Sequence, residues 1–241
     1  MCNNLKYLTH PCILVTSDGD RSVPSSYSKT ICDKILNHTN ILKWYTQNYD
    51  KTIIHDKLNY YPIGFDFHTS RWLIANSISK KIKFMTQLRL TNPTNNRISN
   101  KIFSDAHNIH SHPVRKKIHN IIKDNPLFDL IESTKTFAFI TKKYNEYNFV
   151  LSPRGNGLDC HRTWELFLAG AIVITFSSPL DDMFIKHKLP VVILKDIKEL
   201  KNIDENMLNS WYVKYIRNTD INVIFPKLTY KYWINNNYLN L

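Results

Sequence analysis

The first eighty residues alternate short apolar runs with polar breaks. Cys12-Ile13-Leu14-Val15-Thr16 is apolar and partly β-branched, and it stops at Ser17-Asp18-Gly19-Asp20, the pattern of a buried strand running into a turn. Residues 28–37 have helical spacing, and residues 41–45 and 60–64 read as two further strands. The predicted order is β-α-β-β with short connections. Residues 71–79 read as a helix or linker, and Lys83-Phe84-Met85-Thr86-Gln87 opens a second unit, so a boundary is expected near Ser79.

In the second unit, residues 96–122 carry helical spacing interrupted at His112-Pro113, which predicts two helices broken at the proline. Strand-like runs at 137–140, 149–152, 171–176 and 191–194 then alternate with helices at about 141–146, 158–169 and 179–187. Apolar strands alternating with helices predict a parallel sheet covered on both faces, with ligands at the carboxyl ends of its strands. Helices are expected at 196–200 and 205–217, followed by a polar, aromatic tail. The expected division is 1–79, 80–225, and a segment 226–241 that returns to the first unit.

Composition narrows the functional classes. The 241 residues, 43% hydrophobic and 22% charged, exclude a disordered or fibrous chain. Thirty-two Lys and Arg against twenty Asp and Glu leave a net charge of +12, which favours an anionic partner: nucleic acid, an anionic membrane or a diphosphate-bearing substrate. The basic residues are dispersed and match no nucleic-acid module, so nucleic acid is not expected. Cys2, Cys12, Cys32 and Cys160 form no C-x-x-C pair, which argues against a zinc ribbon or disulfide scaffold and for a reducing compartment. The apolar run at 12–15 is too short for a signal sequence or a membrane span, so a cytoplasmic protein without an integral membrane segment is expected.

Heavy use of Asn, Ile, Lys and Tyr reads as the coding bias of an AT-rich genome, which leaves asparagines little diagnostic weight. His107, His110, His112 and His119 do not share one helical face, and no metal centre is expected from them. Arg115-Lys116-Lys117 reads as a solvated helix face. Trp44, Trp72 and Trp211 read as packing residues, with Trp72, beside Arg71, also a possible contact for a bound substrate.

The segment with the most chemistry is 149–174, FVLSPRGNGLDCHRTWELFLAGAIVI. It reads as strand, loop, helix and strand, with two of the five glycines in the loop. Gly155 and Gly157 allow close approach of the backbone, Arg154 supplies a fixed cation, and the helix start offers free amides: a phosphate-binding pattern. Arg162 lies three residues from both Asp159 and Glu165 and shares a helical face with each. The plainer alternative is that Arg154 and Glu165 pair with each other and the glycines merely turn the chain. Neither a Walker loop nor a dinucleotide fingerprint is present.

The run Leu151-Ser152-Pro153-Arg154-Gly155-Asn156-Gly157, then Asp159-Cys160-His161-Arg162-Thr163-Trp164-Glu165, then Gly170-Ala171-Ile172-Val173-Ile174, resembles the nucleotide-sugar-binding half of exostosin-like glycosyltransferases, most of all the small homologues of large DNA viruses. Upstream, Ile13-Leu14-Val15-Thr16 with Asp20 and Val23-Pro24, Trp44-Tyr45-Thr46-Gln47-Asn48, Leu58 with Tyr61-Pro62-Ile63-Gly64, and Thr91-Asn92-Pro93 with Arg97 are similar to successive segments of that family. The resemblance implies an α/β GT-B-like fold: two Rossmann-like domains facing a cleft, the N-terminal one here reduced. It implies a nucleotide-sugar donor, UDP-linked by preference, and a glycan or glycoconjugate acceptor, with no cofactor.

By the resemblance, Arg154 and Arg162 hold the donor diphosphate, Glu165 bonds its ribose, and Gly155, Asn156, Gly157 and Asp159 complete the donor site. Asp20, in the loop after the first strand, is the expected base for an inverting transfer, with Asp18, His55 and Asp66 in reserve. Asp18-Gly19-Asp20 also spells the D-x-D of metal-dependent transferases, but it follows the first strand with no nucleotide-binding unit before it. A metal-free reaction is therefore expected. A basic polyanion-binding module and an inactive sugar-binding homologue are the competing functional classes.

Overall fold

Among the residues described by this computed structural model, 2–17, 19–66, 78–105, 111–133 and 135–238, the strands form two sheets, and every pairing within them is parallel. The first sheet is β1 (Cys12–Thr16), β2 (Ile41–Thr46) and β3 (Leu58–Tyr60), with β2 in the middle. Helix α1 (Lys29–Leu36) crosses between β1 and β2, capped by Ser28, whose side chain accepts from the Ile31 amide. Its Cys32, Ile35 and Leu36 pack on Ile41, Trp44 and Leu58. Strand β3 starts two residues before the run that predicts it and ends at Tyr60. The Tyr61 amide makes the last bond, to the Thr46 carbonyl (2.8 Å), and Pro62 has no N–H to continue. Residues 61–65 peel away as an irregular segment.

The second sheet has the order β5-β4-β6-β7-β8, from β4 (Ile98–Ser104), β5 (Phe128–Leu130), β6 (Tyr147–Leu151), β7 (Ile172–Phe176) and β8 (Val191–Leu194). Every residue of β6 is buried, as a central parallel strand requires. Its side chains alternate: Phe149 and Leu151 join Ile118 and Ile122 of α3 (Pro113–Ile122) and Leu208 of α7 (Glu205–Tyr215). Val150 instead joins Trp164 and Phe167 of α5 (His161–Ala169) and Met183 of α6 (Asp181–Lys186).

Two predicted elements change type. Residues 137–140, expected as a strand, open helix α4 (Phe137–Tyr144): Thr136 caps it by accepting from the Phe139 amide, and the ladder position beside β4 is taken by β5, which the sequence pattern does not mark. The first of the two helices expected in 96–122 is strand β4, buried only over Ile102-Phe103-Ser104, so its alternation is too short to read. Ser79, the expected boundary, is the second residue of α2 (Ile78–Thr91). The expected tail forms a short turn and helix α9 (Tyr230–Tyr238), preceded by α8 (Ile221–Ile224). Among the described residues no helix is long and apolar enough to cross a membrane.

Helix α5 is gripped at its carboxyl end. Gly170 caps it at φ 84°, a left-handed conformation that glycine adopts without strain. Arg89 donates from Nη1 to the carbonyls of Phe167 (3.1 Å) and Leu168 (3.0 Å), and Arg97 donates to Ala169 (2.9 Å). Burial lowers both guanidinium groups to about 10, which leaves them charged at neutral pH and matched to the negative end of the helix dipole.

A second junction centres on His187. Its ring nitrogens lie 3.1 Å from the Tyr60 hydroxyl and 3.0 Å from that of Tyr232, and its ring is 4.5 Å from that of Trp233. Strand β3, the end of α6 and helix α9 thus meet on one buried imidazole. Burial, then the charges of Lys186 and Lys227, lower His187 to about 4. The unfolded imidazole titrates near 6.5, so between these values the unfolded chain takes up a proton that the folded one refuses. Stability is therefore lost as pH falls from about 6.5 toward 4. Urea unfolding of the wild type should show its midpoint falling across that window, and His187→Gln should flatten the fall; identical pH profiles would rule the imidazole out as the cause.

Candidate functional site

The carboxyl ends of both sheets open onto the loop 153–160, which runs from β6 into α5, the location where parallel sheets leave backbone groups free for ligands. A cavity of about 600 Å³ lies on one side of it, lined among others by Asp20, Gln47, Tyr61, Phe65, His161 and Tyr230. A smaller one of about 230 Å³ lies on the other side, lined by His112, Ser152, Arg154, Cys160, Thr175 and Ser178 among others. Residues of the loop line the smaller cavity, and His161 and Trp164 of the helix that follows it line the larger.

Asp159 sets the shape of that loop. Its buried carboxylate accepts from the Ile63 amide (2.8 Å), the Cys160 amide (2.8 Å) and the Trp164 indole (2.9 and 3.0 Å). Burial pushes its pKa up, while these donors pull it down. The Asp159 amide donates in turn to Asn48 Oδ1 (2.8 Å), and Asn48 Nδ2 donates to the Gly19 carbonyl (2.8 Å). Asn48, at φ 53°, occupies the left-handed region that asparagine tolerates better than most residues. His161 Nδ1 lies 2.8 Å from the Gly64 carbonyl, an oxygen that can only accept, so Nδ1 carries a proton. Three elements of the first sheet's carboxyl edge are thereby tied to one loop of the second.

The glycines serve this packing. A Cβ on Gly157 would sit 2.9 Å from Asn48 Nδ2, and one on Gly155 would sit 3.3 Å from Arg115 Nη2. The close approach that the sequence assigns to a ligand is, at Gly157, made by a side chain of the chain itself. Arg115, expected on a solvated face, is buried and donates to the carbonyls of Arg154 (2.8 Å) and Pro153 (3.4 Å), which stiffens the loop from behind. Lys116 and Lys117 are exposed as expected.

Asp20 and Asn156 are brought together: Asn156 Nδ2 donates to Asp20 Oδ2 at 3.3 Å. Arg154, half-buried, curls over its own loop, donating to the carbonyls of Asn156 (2.8 Å) and Gly155 (3.3 Å). Arg162 and Glu165 face into the protein. Arg162 Nε pairs with Asp105 (3.1 Å); burial opposes its charge, but Asp105 outweighs that and holds the guanidinium above its ordinary value. Its Nη1 is buried with no hydrogen-bond partner among the described residues. Glu165 pairs not with Arg154 but with Lys81 of α2 (2.6 Å), both side chains almost fully buried.

Of the reserve bases, Asp66 is buried and His55 is exposed in the turn before β3, accepting from the Lys57 amide. Asp18, Arg71, Trp72, His107 and His110 lie outside the described residues. Trp44 is fully buried, and Trp211 packs edge-on against Phe149. Among the described residues no three His, Cys, Asp or Glu side chains gather as a metal site would need.

No protein family and no curated protein matches the sequence. Among solved structures the chain is similar to WaaG, a glycosyltransferase involved in lipopolysaccharide biosynthesis, at 9% identity and a TM-score of 0.42, over 94% of this chain and 78% of that one. Neither number is high enough to carry an activity across.

Asp159→Asn keeps the shape but replaces one carboxylate oxygen by an amide that faces N–H donors. The expected cost is about 2–3 kcal/mol in urea unfolding, in the range for hydrogen bonds to a buried charge. An unchanged midpoint would show that the staple contributes nothing to stability.

Proposed function

We propose that the chain is a GT-B-type glycosyltransferase that moves a sugar from a nucleotide-sugar donor, UDP-linked by preference, to a glycan or glycoconjugate hydroxyl. The observation that carries this reading is the meeting of Asp20 with Asn156. It puts a carboxylate from the first sheet's edge against the glycine loop, between a cationic pocket and a larger cavity walled by aromatic and polar groups. Residues 1–79 form the acceptor side in this reading, 80–225 the donor side, and 226–241 a return segment.

The donor diphosphate lies along residues 154–157 and the start of α5. Arg154 and the positive end of the helix dipole neutralise its charge. Arg162 supports the same role through Nη1, a buried donor that a bound anion would satisfy. Asp159 and Glu165 act from behind, the first by shaping the loop and the second by locking α5 to α2 through Lys81. The larger cavity takes the acceptor, with Tyr61 and Tyr230 as faces for a sugar ring.

The reaction follows from the placement. The acceptor hydroxyl gives its proton to the Asp20 carboxylate as its oxygen bonds to the sugar's anomeric carbon. The bond from that carbon to the phosphate oxygen breaks, and its electron pair leaves with the nucleoside diphosphate. Attack opposite the leaving group inverts the centre through an oxocarbenium-like state, and the fixed positive charge stabilises the departing phosphate. Cationic side chains and helix amides do the work that a bound metal does in D-x-D enzymes.

A thermal-shift panel of nucleoside diphosphates and sugar nucleotides, without metal and at fixed salt, should identify one ligand that stabilises the wild type. The gain is about 2.7 kcal/mol at one hundred times its dissociation constant, and it should vanish in Arg154→Ala. Stabilisation by oligonucleotides alone would replace this reading with a polyanion-binding module. Asp20→Asn should keep the nucleotide's shift while turnover drops by about 10²–10⁴-fold, the usual worth of a positioned base; full turnover would remove Asp20 from the role.

A further inference from the structure

The smaller cavity presents a polar group that the sequence pattern passes over. His112 is the N-cap of α3, and its Nδ1 accepts from the Val114 amide at 3.3 Å. Only a lone pair can receive an N–H, so Nδ1 is unprotonated and the neutral ring carries its proton on Nε2. No described residue bonds that second nitrogen, and His112 lines the same cavity as Arg154. The ring is thus held by one nitrogen and leaves an N–H donor on the other.

Its surroundings keep the ring neutral. Burial first, and then the guanidinium charges of Arg154 and Arg115, lower the His112 pKa below the ordinary imidazole value. The other ionisable groups lining the cavity are Asp159, whose carboxylate is taken up by protein donors, and Cys160, which lies 3.6 Å from Arg115 Nη2. Protonating Nδ1 would also set two donors, its own N–H and that of Val114, against each other. A neutral N–H beside a guanidinium suits an anion with several oxygens, because it adds a directed bond without adding another charge to desolvate.

We infer that His112 is an anion-binding residue of the smaller cavity, donating from Nε2 to a phosphate oxygen of the ligand that Arg154 also holds. This rests on the donor-site reading above and adds a contact from a separate element, α3, to a loop that follows β6. Diphosphate is the shared chemistry, whether it arrives as part of a nucleotide sugar or free.

Two substitutions separate the ring's two nitrogens. His112→Asn places an oxygen near Nδ1, keeping the cap but losing the distal donor; His112→Gln carries an amide N–H near Nε2 but caps poorly. Calorimetric titration of the full chain with inorganic pyrophosphate at fixed salt should show binding by the wild type and its loss in Arg154→Ala. His112→Asn should weaken binding about tenfold with an unchanged urea midpoint, and His112→Gln should bind within about threefold of the wild type at lower stability. Wild-type affinity in His112→Asn, with loss in Arg154→Ala, would overturn this inference and leave the donor site standing. No binding by the wild type would overturn both. Between pH 6 and 8, the affinities of the wild type and His112→Asn should change in parallel, following the ligand's own ionisation. A steeper gain on acidification in the wild type would mean that the ring binds as a cation and would overturn the neutral-donor assignment.

Discussion

The Asp159 carboxylate is the point on which the site's geometry depends. One buried charge accepts from Ile63, from the Cys160 amide just before α5 and from the indole of Trp164, while the backbone of the same residue reaches Asn48. A carboxylate so enclosed is tolerated only because each oxygen is supplied with donors. The consequence is positional: the glycine loop, the edge carrying Asp20 and the residues walling the larger cavity hold one relation to each other. Gly157 belongs to the same constraint, since Asn48 occupies the space a side chain would need.

Electrostatics along α5 divide between its two ends. Arg89 and Arg97 take the last carbonyls, so the negative end is neutralised inside the protein. The positive end lies between the two cavities, His161 lining the larger and Cys160 the smaller, and Arg154 adds its charge on the smaller side, while Arg162 faces inward to Asp105. A helix anchored at one end and open at the other suits the binding of an anion with no metal in between. Lys81 and Glu165, a buried ion pair between α2 and α5, hold the helix against rotation, and removing either partner would leave an uncompensated charge.

The fold and the site were legible to different depths. Strands β1, β2, β6, β7 and β8 stand where their apolar runs lie, because strands buried in a parallel sheet announce themselves as continuous hydrophobic stretches; β1, expected to be buried, is an edge strand of which only Thr16 is buried. Strand β4 and helix α4 do not. The first is buried over three residues, and the second begins with an aromatic, β-branched run whose helical state depends on the Thr136 cap. In the site, Asp20, Arg154 and Asn156 come together as their positions in strand-end loops suggest. Asn48 was hidden by its own abundance, since compositional bias makes any one asparagine look uninformative. Asn48 for Asp159, Asp105 for Arg162 and Lys81 for Glu165 lie 57 to 111 residues away in sequence, a separation no local spacing reports.

The proposed reaction moves a sugar from a nucleotide without a metal. The most direct measurement is mass-spectrometric and chromatographic detection of nucleoside diphosphate released from a panel of sugar nucleotides by the full chain in EDTA, with the anomeric configuration of the freed or transferred sugar read by NMR. The expected result is release from one nucleotide class, in EDTA, with inversion. Release that appears only when Mn²⁺ is added, or retention of configuration, would contradict it.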